Sequence, residues 1–307
     1  MLMLEEESLM VNYFGHELPS FQEILKEKRC RNYVSLTLTR YLATLGVSQP
    51  FIDNVKSKLF QIVNSTNNQC EYERQVHTLL VGVTSETTLK QALVERANRI
   101  GRQLLPYLIP GNVLDDGCGD GLVGRYLHNR GHGVILADVY QHPAIKSFGL
   151  TFMLLGDRER VPFEDNSFSN TNLCTVLHHS VDPLLTLQEA VRVTRQNGRL
   201  LVIESVFSIS PDKAKDCAGG EYLSAFLSLS PEEQFMVNMF FDHFYNRCFH
   251  YSDDPAKKVN VPFNYQTPEE WKEIFHELGC EEVKRIALGI DQPLAPLFHT
   301  LHLVEKV

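Results

Sequence analysis

The sequence has no long apolar run, no excess of basic residues and no closely spaced cysteine pair. No apolar stretch could cross a bilayer and the first ten residues are too acidic for a signal peptide, so a cytoplasmic protein without a membrane span is expected. The formal net charge of −9 disfavours a nucleic-acid-binding surface. The seven cysteines include no C-x-x-C pair, so we expect reduced thiols.

A glycine-rich stretch marks the centre of the chain. Residues 113–121 read Val-Leu-Asp-Asp-Gly-Cys-Gly-Asp-Gly, and a helix-like stretch follows over 122–129. This pattern predicts a buried strand, a tight turn and a helix N-terminus, whose free N–H groups can bind a polar or anionic group. Two ligand classes use such a turn: dinucleotides, because residues 119–124 fit G-x-G-x-x-G, and S-adenosylmethionine.

The regions on either side of this stretch have different patterns. Residues 1–105 read as amphipathic helices, and from residue 112 short apolar strands alternate with helices, which predicts a parallel α/β sheet. Strands are predicted over 113–114, 133–138, 152–157, 172–177, 199–204, 282–290 and 299–304. Asp138 ends the second strand 17 positions after Gly121, close to the ~20 expected for a carboxylate that binds a ribose.

Further motifs follow in a recognisable order: V-P-F-x-D-x-S-F from residue 161, V-L-H-H from 176, D-P at 182, and N-G-R-L-L-V-I-E ending at Glu204. Together with the glycine stretch they resemble the ubiquinone/menaquinone-biosynthesis (methyltransferase type 11) group of class I S-adenosylmethionine-dependent methyltransferases. The resemblance covers about residues 112–204, roughly a third of the chain. Two positions depart from the group's pattern: Asp116 replaces a usual apolar residue, and Ser169 a usual acid.

The resemblance implies a Rossmann-like sheet of seven strands whose last strand is antiparallel and lies between the fifth and the sixth. It implies S-adenosylmethionine as the cofactor, since a nicotinamide enzyme would lack the motif after the fourth strand. The Gly117-Cys118-Gly119 turn and Gly121 would pass close to the methionine part, with Asp115 near its ammonium. The other implied contacts are the ribose with Asp138, the adenine with Asp157 and Arg158, and the sulfonium with Leu177 and His178.

Outside the resemblance, the chain offers two segments that could enclose a substrate. We expect residues 1–105 to form a helical N-terminal cap, and 106–307 a Rossmann-like domain. Within that domain, the aromatic-rich stretch 206–267 is expected to be a helical lid inserted after the fifth strand. On an ideal helix His243, Asn246, Arg247 and His250 would share one face.

Histidines and carboxylates are expected to meet at the carboxyl edge of the sheet. Ligands bind outside the carboxyl ends of parallel strands, and a reversed last strand begins at that same edge. The candidate cluster is therefore Glu204, His243, Asp291 and His299, beside His178 and His179, with His302 as a weaker member. Such a group could act as a base or substrate anchor, could bind a divalent metal through His243, Asp291 and His299, or could be structural.

These observations predict methyl transfer to a small-molecule acceptor, with His299, His243, Glu204 and His178 as candidate catalytic residues. Two alternatives stay open: a metal-assisted enzyme of the same fold that uses the histidine cluster, and a non-catalytic binding protein. The acceptor and the methylated atom are not determined by these motifs.

Overall fold

The computed structural model describes residues 17–156, 161–217, 219–254, 258–259, 261–290 and 294–307. Helices fill the described part of the chain before the sheet: α1 (Leu18–Ile24), α2 (Lys28–Thr44), α3 (Gln49–Ser65), α4 (Gln69–Leu80) and α5 (Glu86–Leu104). The polar stretch before α4 reads as a loop in the sequence, but its last residue, Asn68, is the N-cap of α4. The Asn68 side chain accepts a hydrogen bond from the Glu71 amide at 3.0 Å, which satisfies a free N–H of the first turn.

The sheet contains seven strands in the described residues, in the order β3-β2-β1-β4-β5-β7-β6. β1 to β5 pair in parallel, whereas β7 runs antiparallel to both β5 and β6. This arrangement confirms the predicted Rossmann-like sheet and its reversed last strand. The strands are β1 (Asn112–Asp116), β2 (Gly133–Asp138), β3 (Thr151–Leu154), β4 (Phe168–Cys174), β5 (Thr194–Ser205), β6 (Cys280–Gly289) and β7 (His299–Lys306).

The fourth strand begins earlier than its sequence suggests and ends earlier too. Its polar side chains Ser169, Asn170 and Thr171 are buried, and each of these three has a hydrogen-bond partner in the structure. The Asn170 side chain exchanges two hydrogen bonds of 2.9 Å with the backbone of Ile109, and the hydroxyls of Thr171 and Thr194 lie 2.7 Å apart. Because these polar side chains are satisfied inside the protein, they can occupy a central strand.

Further helices surround the sheet and cover its carboxyl edge: α6 (Leu122–His128), α7 (Pro183–Val193), α8 (Gly220–Leu227), α9 (Pro231–His243) and α10 (Pro268–Glu277). The start of α9 is fixed by a capping box, in which Ser230 and Glu233 satisfy each other's backbone N–H groups. After His243 the chain continues as a π-helix over Phe244–Phe249. Side chains after His243 therefore point in directions that differ from those of a continuous α-helix.

One hydrophobic core joins the N-terminal helices to the segment after β5. Leu38 of α2, Phe240 of α9 and Leu200 of β5 are fully buried members of it. The segments predicted as cap and lid therefore pack on each other as well as on the sheet. Among the described residues, no helix is both long enough and apolar enough to cross a membrane.

Candidate active site

The glycine turn after β1 is attached to the end of β2. The amides of Gly117 and Cys118 both donate to the carbonyl of Ala137, at 2.8 and 3.0 Å. The amide of Gly119 donates to the Asp138 carboxylate at 2.8 Å. The turn is thereby held at the carboxyl edge of the sheet, directly before α6.

Two glycines of this turn have different surroundings. A Cβ at Gly117 would lie 2.5 Å from a methyl carbon of Val176, so the turn packs tightly on the segment that follows β4. A Cβ at Gly119 would meet nothing within 4 Å, although the backbone there has φ +56°. The turn is thus supported on one side and leaves space on the other, where a ligand could approach the backbone.

Asp115 offers a buried carboxylate at the end of β1. Its Oδ2 is buried, and the backbone N–H of Gly124 faces the carboxylate and partly offsets the effect of burial on its pKa. Burial, followed by the charges of Asp116, Asp120 and Asp138, raises the pKa of Asp115 to about 7. A cationic group placed there would remove this penalty. The ammonium of S-adenosylmethionine therefore fits the residues present.

Asp138 and its neighbours offer a polar and an apolar surface side by side. Besides the Gly119 amide, the Asp138 carboxylate accepts from the Tyr140 amide at 3.3 Å, and its oxygens can accept further protons from ribose hydroxyls. Val139 and Tyr140 after β2, and Leu154 at the end of β3, are exposed apolar side chains. They provide surface for an aromatic ring. The two predicted adenine contacts, Asp157 and Arg158, lie outside the described residues.

A buried carboxylate on β5 organises the segment after β4. Glu204 Oε1 accepts from the amides of Val176 and Leu177, at 2.8 and 2.7 Å, and Oε2 lies 2.5 Å from His178 Nδ1. Burial lowers the pKa of His178, but the charge and hydrogen bond of Glu204 outweigh it, and the pKa is raised. Glu204 therefore positions both Leu177 and His178, next to the glycine turn.

A cavity of about 190 Å³ opens beside His178. Its walls come from the carboxyl ends of β4 and β5, the start of β7, α5, α9, the π-helix and a loop before β7. The polar and aromatic residues that line it are Arg96, Thr175, His178, His179, Ser205, Phe241, Asp242, Tyr245, Asn246 and His299.

His299 lies at this cavity because β7 is antiparallel. The pairing of β5 with β7 places His299 opposite Ser205, and its Nε2 is 3.2 Å from the Ser205 hydroxyl. Burial, followed by the charges of Arg96 and His178, lowers the pKa of His299 to about 3. His299 is therefore a neutral hydrogen-bonding group at physiological pH.

The structure does not bring His243 to this cavity, which corrects the predicted cluster. The His243 ring is stacked on Tyr72, and its Nε2 is 3.2 Å from Glu73 Oε1 of α4. Of the expected common face, His243 and Arg247 both contact Glu73, whereas Asn246 lines the cavity, in a region where a π-helix replaces an ideal α-helix.

Two other members of the predicted cluster, His302 and Asp291, are not found at this cavity among the described residues. His302 pairs with Glu282 of β6 at 2.5 Å and does not line the cavity. Asp291 lies outside the described residues. Sequence reasoning placed His179 beside the cluster but missed its partner Asp242; the His179 Nε2 and Asp242 Oδ1 atoms are 3.5 Å apart. Asp242 precedes His243, and adjacent positions on a helix face different directions.

Arg96 and Thr175 were also missed as site residues. Arg96 of α5 donates to the Thr175 hydroxyl at 3.1 Å, and Thr175 has a left-handed backbone with φ 57° at the end of β4. A non-glycine residue held in this region is a feature that clusters at functional sites. Neither residue belongs to a sequence motif, so only their position in space identifies them.

Comparison with known proteins agrees with this geometry. Residues 114–202 match a family described as "Methyltransferase domain". The chain contains a class I S-adenosylmethionine-dependent methyltransferase domain. The matched residues include the glycine turn, Asp138, the Glu204-supported segment and most of β5.

Individual relatives of the methyltransferase domain match over limited stretches. The malonyl-[acyl-carrier protein] O-methyltransferase of Erwinia pyrifoliae is 35% identical over 116 residues, which cover 35% of this chain and 43% of that protein. A demethylmenaquinone methyltransferase of a Mycobacterium species is 41% identical over 68 residues, which cover 22% of this chain and 29% of that protein. The chain thus spans less than half the length of these curated relatives.

Among solved structures, the 1,6-didemethyltoxoflavin-N1-methyltransferase of Burkholderia thailandensis is similar at 18% identity and a TM-score of 0.45. The likeness covers 77% of this chain and 89% of that one.

Proposed function

We propose that this chain transfers a methyl group from S-adenosylmethionine to a small molecule held in the cavity beside His178. One observation carries the proposal: the glycine turn and the cavity are built against each other. Gly117 packs on Val176, Glu204 positions the next two residues, and the second of these, His178, borders the cavity. A cofactor on the glycine turn and an acceptor in the cavity would therefore be neighbours.

When bound, S-adenosylmethionine supplies a methyl group already activated by the positive sulfur. The protein then has to align the acceptor and exclude water. Glu204 fixes the orientation of His178, so the histidine presents a fixed polar group to the acceptor cavity. Phe241 and Tyr245 supply apolar surface around it. These features favour a small acceptor that carries both a polar and an apolar part.

The cap and lid belong to the same proposal. Helix α5, from the N-terminal segment, contributes Arg96 to the cavity. Helix α9 and the π-helix, from the segment after β5, contribute four further lining residues: Phe241, Asp242, Tyr245 and Asn246. We infer that residues 1–105 act as the cap of the acceptor site and residues 206–267 as its lid.

The first test is calorimetric titration of the purified protein with S-adenosylmethionine, with NAD as a control ligand. We expect binding of S-adenosylmethionine alone, and at least about a tenfold loss of affinity in Asp138→Ala, since the variant loses the carboxylate for the ribose. Asp216→Ala, at an exposed position, is the matched control. The proposal fails if the folded wild-type protein binds no S-adenosylmethionine, or binds NAD equally well.

A further inference from the structure

Two histidines and an aspartate meet at the wall of the acceptor cavity. His178 and His179 follow β4, and Asp242 is near the end of α9. One potential metal-ligating atom from each lies within 4.8 Å of the others. Ligands of a tetrahedral ion with bonds of about 2.0–2.2 Å lie roughly 3.3–3.6 Å apart, and the His179–Asp242 distance of 3.5 Å already meets this.

The groups behind these three side chains match the surroundings of a metal centre. His178 Nδ1 is engaged with Glu204, which leaves Nε2 as the atom for an ion. A carboxylate that accepts the second N–H of a ligating histidine fixes the ring and makes it a better ligand. Asp242 Oδ1 is held by the Asn246 side chain at 2.7 Å, and the buried Tyr265 hydroxyl faces the same carboxylate.

We propose that His178, His179 and Asp242 bind a divalent first-row transition-metal ion, which holds the acceptor through the ion's open coordination positions. Two imidazoles and one carboxylate are a ligand set that such ions accept with positions left for water or substrate. The site differs from the metal ligands expected from the sequence, since it includes neither His243 nor His299. It rests on the proposed function, because it assigns the acceptor's nucleophilic atom to the ion.

The chemistry follows from the charge of the ion. An acceptor hydroxyl, thiol or amine bound to a divalent ion has a lowered pKa, and its proton passes to water. The freed electron pair of the acceptor atom forms the new bond to the methyl carbon. The carbon–sulfur bond breaks with its electrons left on sulfur. The products are the methylated acceptor, S-adenosylhomocysteine and one proton.

The proposed metal site would also connect α9 to the carboxyl edge of the sheet. Asp242 is the ligand from the segment after β5, and the two histidines are ligands from the segment after β4. An ion bound by all three would tie the predicted lid to the carboxyl edge of the sheet. We therefore expect metal binding to stabilise the fold as well as to hold the acceptor.

The test uses the full chain, stripped with a chelator and titrated separately with Zn²⁺, Mn²⁺ and Co²⁺ in a calorimeter. We expect one ion per chain with at least one of these metals, and visible absorption bands of histidine-bound Co²⁺. Asp242→Asn and His179→Gln each remove a ligand and should weaken binding by at least about tenfold, as should Glu204→Gln, which removes the support of His178. His276→Gln, at an exposed histidine outside the cluster, should bind like the wild type.

Two outcomes overturn the metal site: no binding of any of the three ions to folded wild-type protein, or binding that survives unchanged in both Asp242→Asn and His179→Gln. His179 is partly exposed, so its variant keeps the test usable if Asp242→Asn does not fold. S-adenosylmethionine is titrated into the same samples. Cofactor binding without metal binding rejects only the metal site, whereas metal binding without cofactor binding rejects the proposed function.

Discussion

Asp115 lies buried at the end of β1, near the carboxylates of Asp116, Asp120 and Asp138. Its neighbours and its burial both disfavour the charged form, which places its pKa at about 7 instead of 3.8. A carboxyl group in this state is half ionised near neutral pH. Its charge then depends on whether a cation is present.

We therefore expect the affinity for S-adenosylmethionine to rise with pH from about 5.5 to about 7.5. Below the pKa of Asp115 its proton must leave before the ammonium can pair with the carboxylate, so affinity changes by up to about tenfold per pH unit there and levels off above it. Calorimetric titrations at several pH values measure this directly.

Asp115→Asn has no such proton to lose, so its affinity should be weaker and nearly independent of pH over that range. Asp216→Asn, at an exposed carboxylate, should keep the wild-type pH profile. A wild-type profile that is flat, or a slope that persists in Asp115→Asn, would show that Asp115 does not face the ammonium.

The π-helix after α9 determines which side chains reach which partners. Glu73 of α4 is buried, and it contacts His243 and Arg247 of this region, each at 3.2 Å from Oε1. Lys258 also lies 3.2 Å from its Oε2. Burial raises the pKa of Glu73, but its three basic partners outweigh burial and hold the pKa at about 2. This carboxylate links the N-terminal helices to the segment that closes the cavity.

Glu73→Gln is expected to lower the free energy of unfolding by about 3–5 kcal/mol at neutral pH, since it leaves buried basic groups without their carboxylate. Chemical denaturation measures the change. Glu71→Gln, on the same helix but solvent-accessible, should change it far less than Glu73→Gln does.

The contribution of Glu73 to the free energy of unfolding decreases as the pH falls. Its folded pKa is below the usual 4.5, so the stabilisation is complete above pH 4.5 and is lost as the pH falls towards about 2. The stability difference between wild type and Glu73→Gln should shrink over that window. Equal effects of the Glu73 and Glu71 variants would contradict a structural role for this link.

At the scale of the whole molecule, the site is assembled from segments far apart in the sequence. Arg96 precedes the sheet, His178 follows β4, Asp242 is the second-last residue of α9 and His299 begins β7. Folding buries two of these histidines with opposite effects on their charge. The pKa of His299 falls to about 3, whereas that of His178 rises because Glu204 is beside it.

Because His299 is buried in its neutral form, it should lower the free energy of unfolding in mild acid. Its folded pKa of about 3 lies below the unfolded value of 6.5, so its contribution is complete above pH 6.5 and is lost as the pH falls towards 3. Asp115 titrates in the opposite sense between pH 3.8 and about 7, so the comparison has to be made with a variant.

The measurement is the free energy of unfolding of wild type and His299→Gln as a function of pH. Relative to this variant, wild type should lose about 1.4 kcal/mol per pH unit below 6.5. His276→Gln, at an exposed histidine, should follow wild type. Parallel curves for wild type and His299→Gln would show that His299 does not fold in its neutral form.

The sequence by itself determined the sheet, the reversed last strand and the position of the glycine turn. The strands and the turn follow from local patterns: apolar runs that alternate with helices, and glycines where the backbone has positive φ at Gly117 and Gly119. The reversed last strand follows from the resemblance to the methyltransferase group. The same patterns predict Asp138 at the end of β2, and they place His178 and Glu204 at the same edge of the sheet, whereas the contact between these two is seen only in the structure.

Only the tertiary structure decided which of two adjacent residues, Asp242 and His243, faces the cavity. Both residues lie in the α-helical part of α9, where His243 is directed towards Glu73 of α4 and Asp242 lies beside His179. Arg96 and Thr175 likewise join the site through packing between distant segments. Local periodicity specifies the elements, whereas long-range burial and ion pairing determine which side chains meet, and these contacts leave no fixed spacing in the sequence.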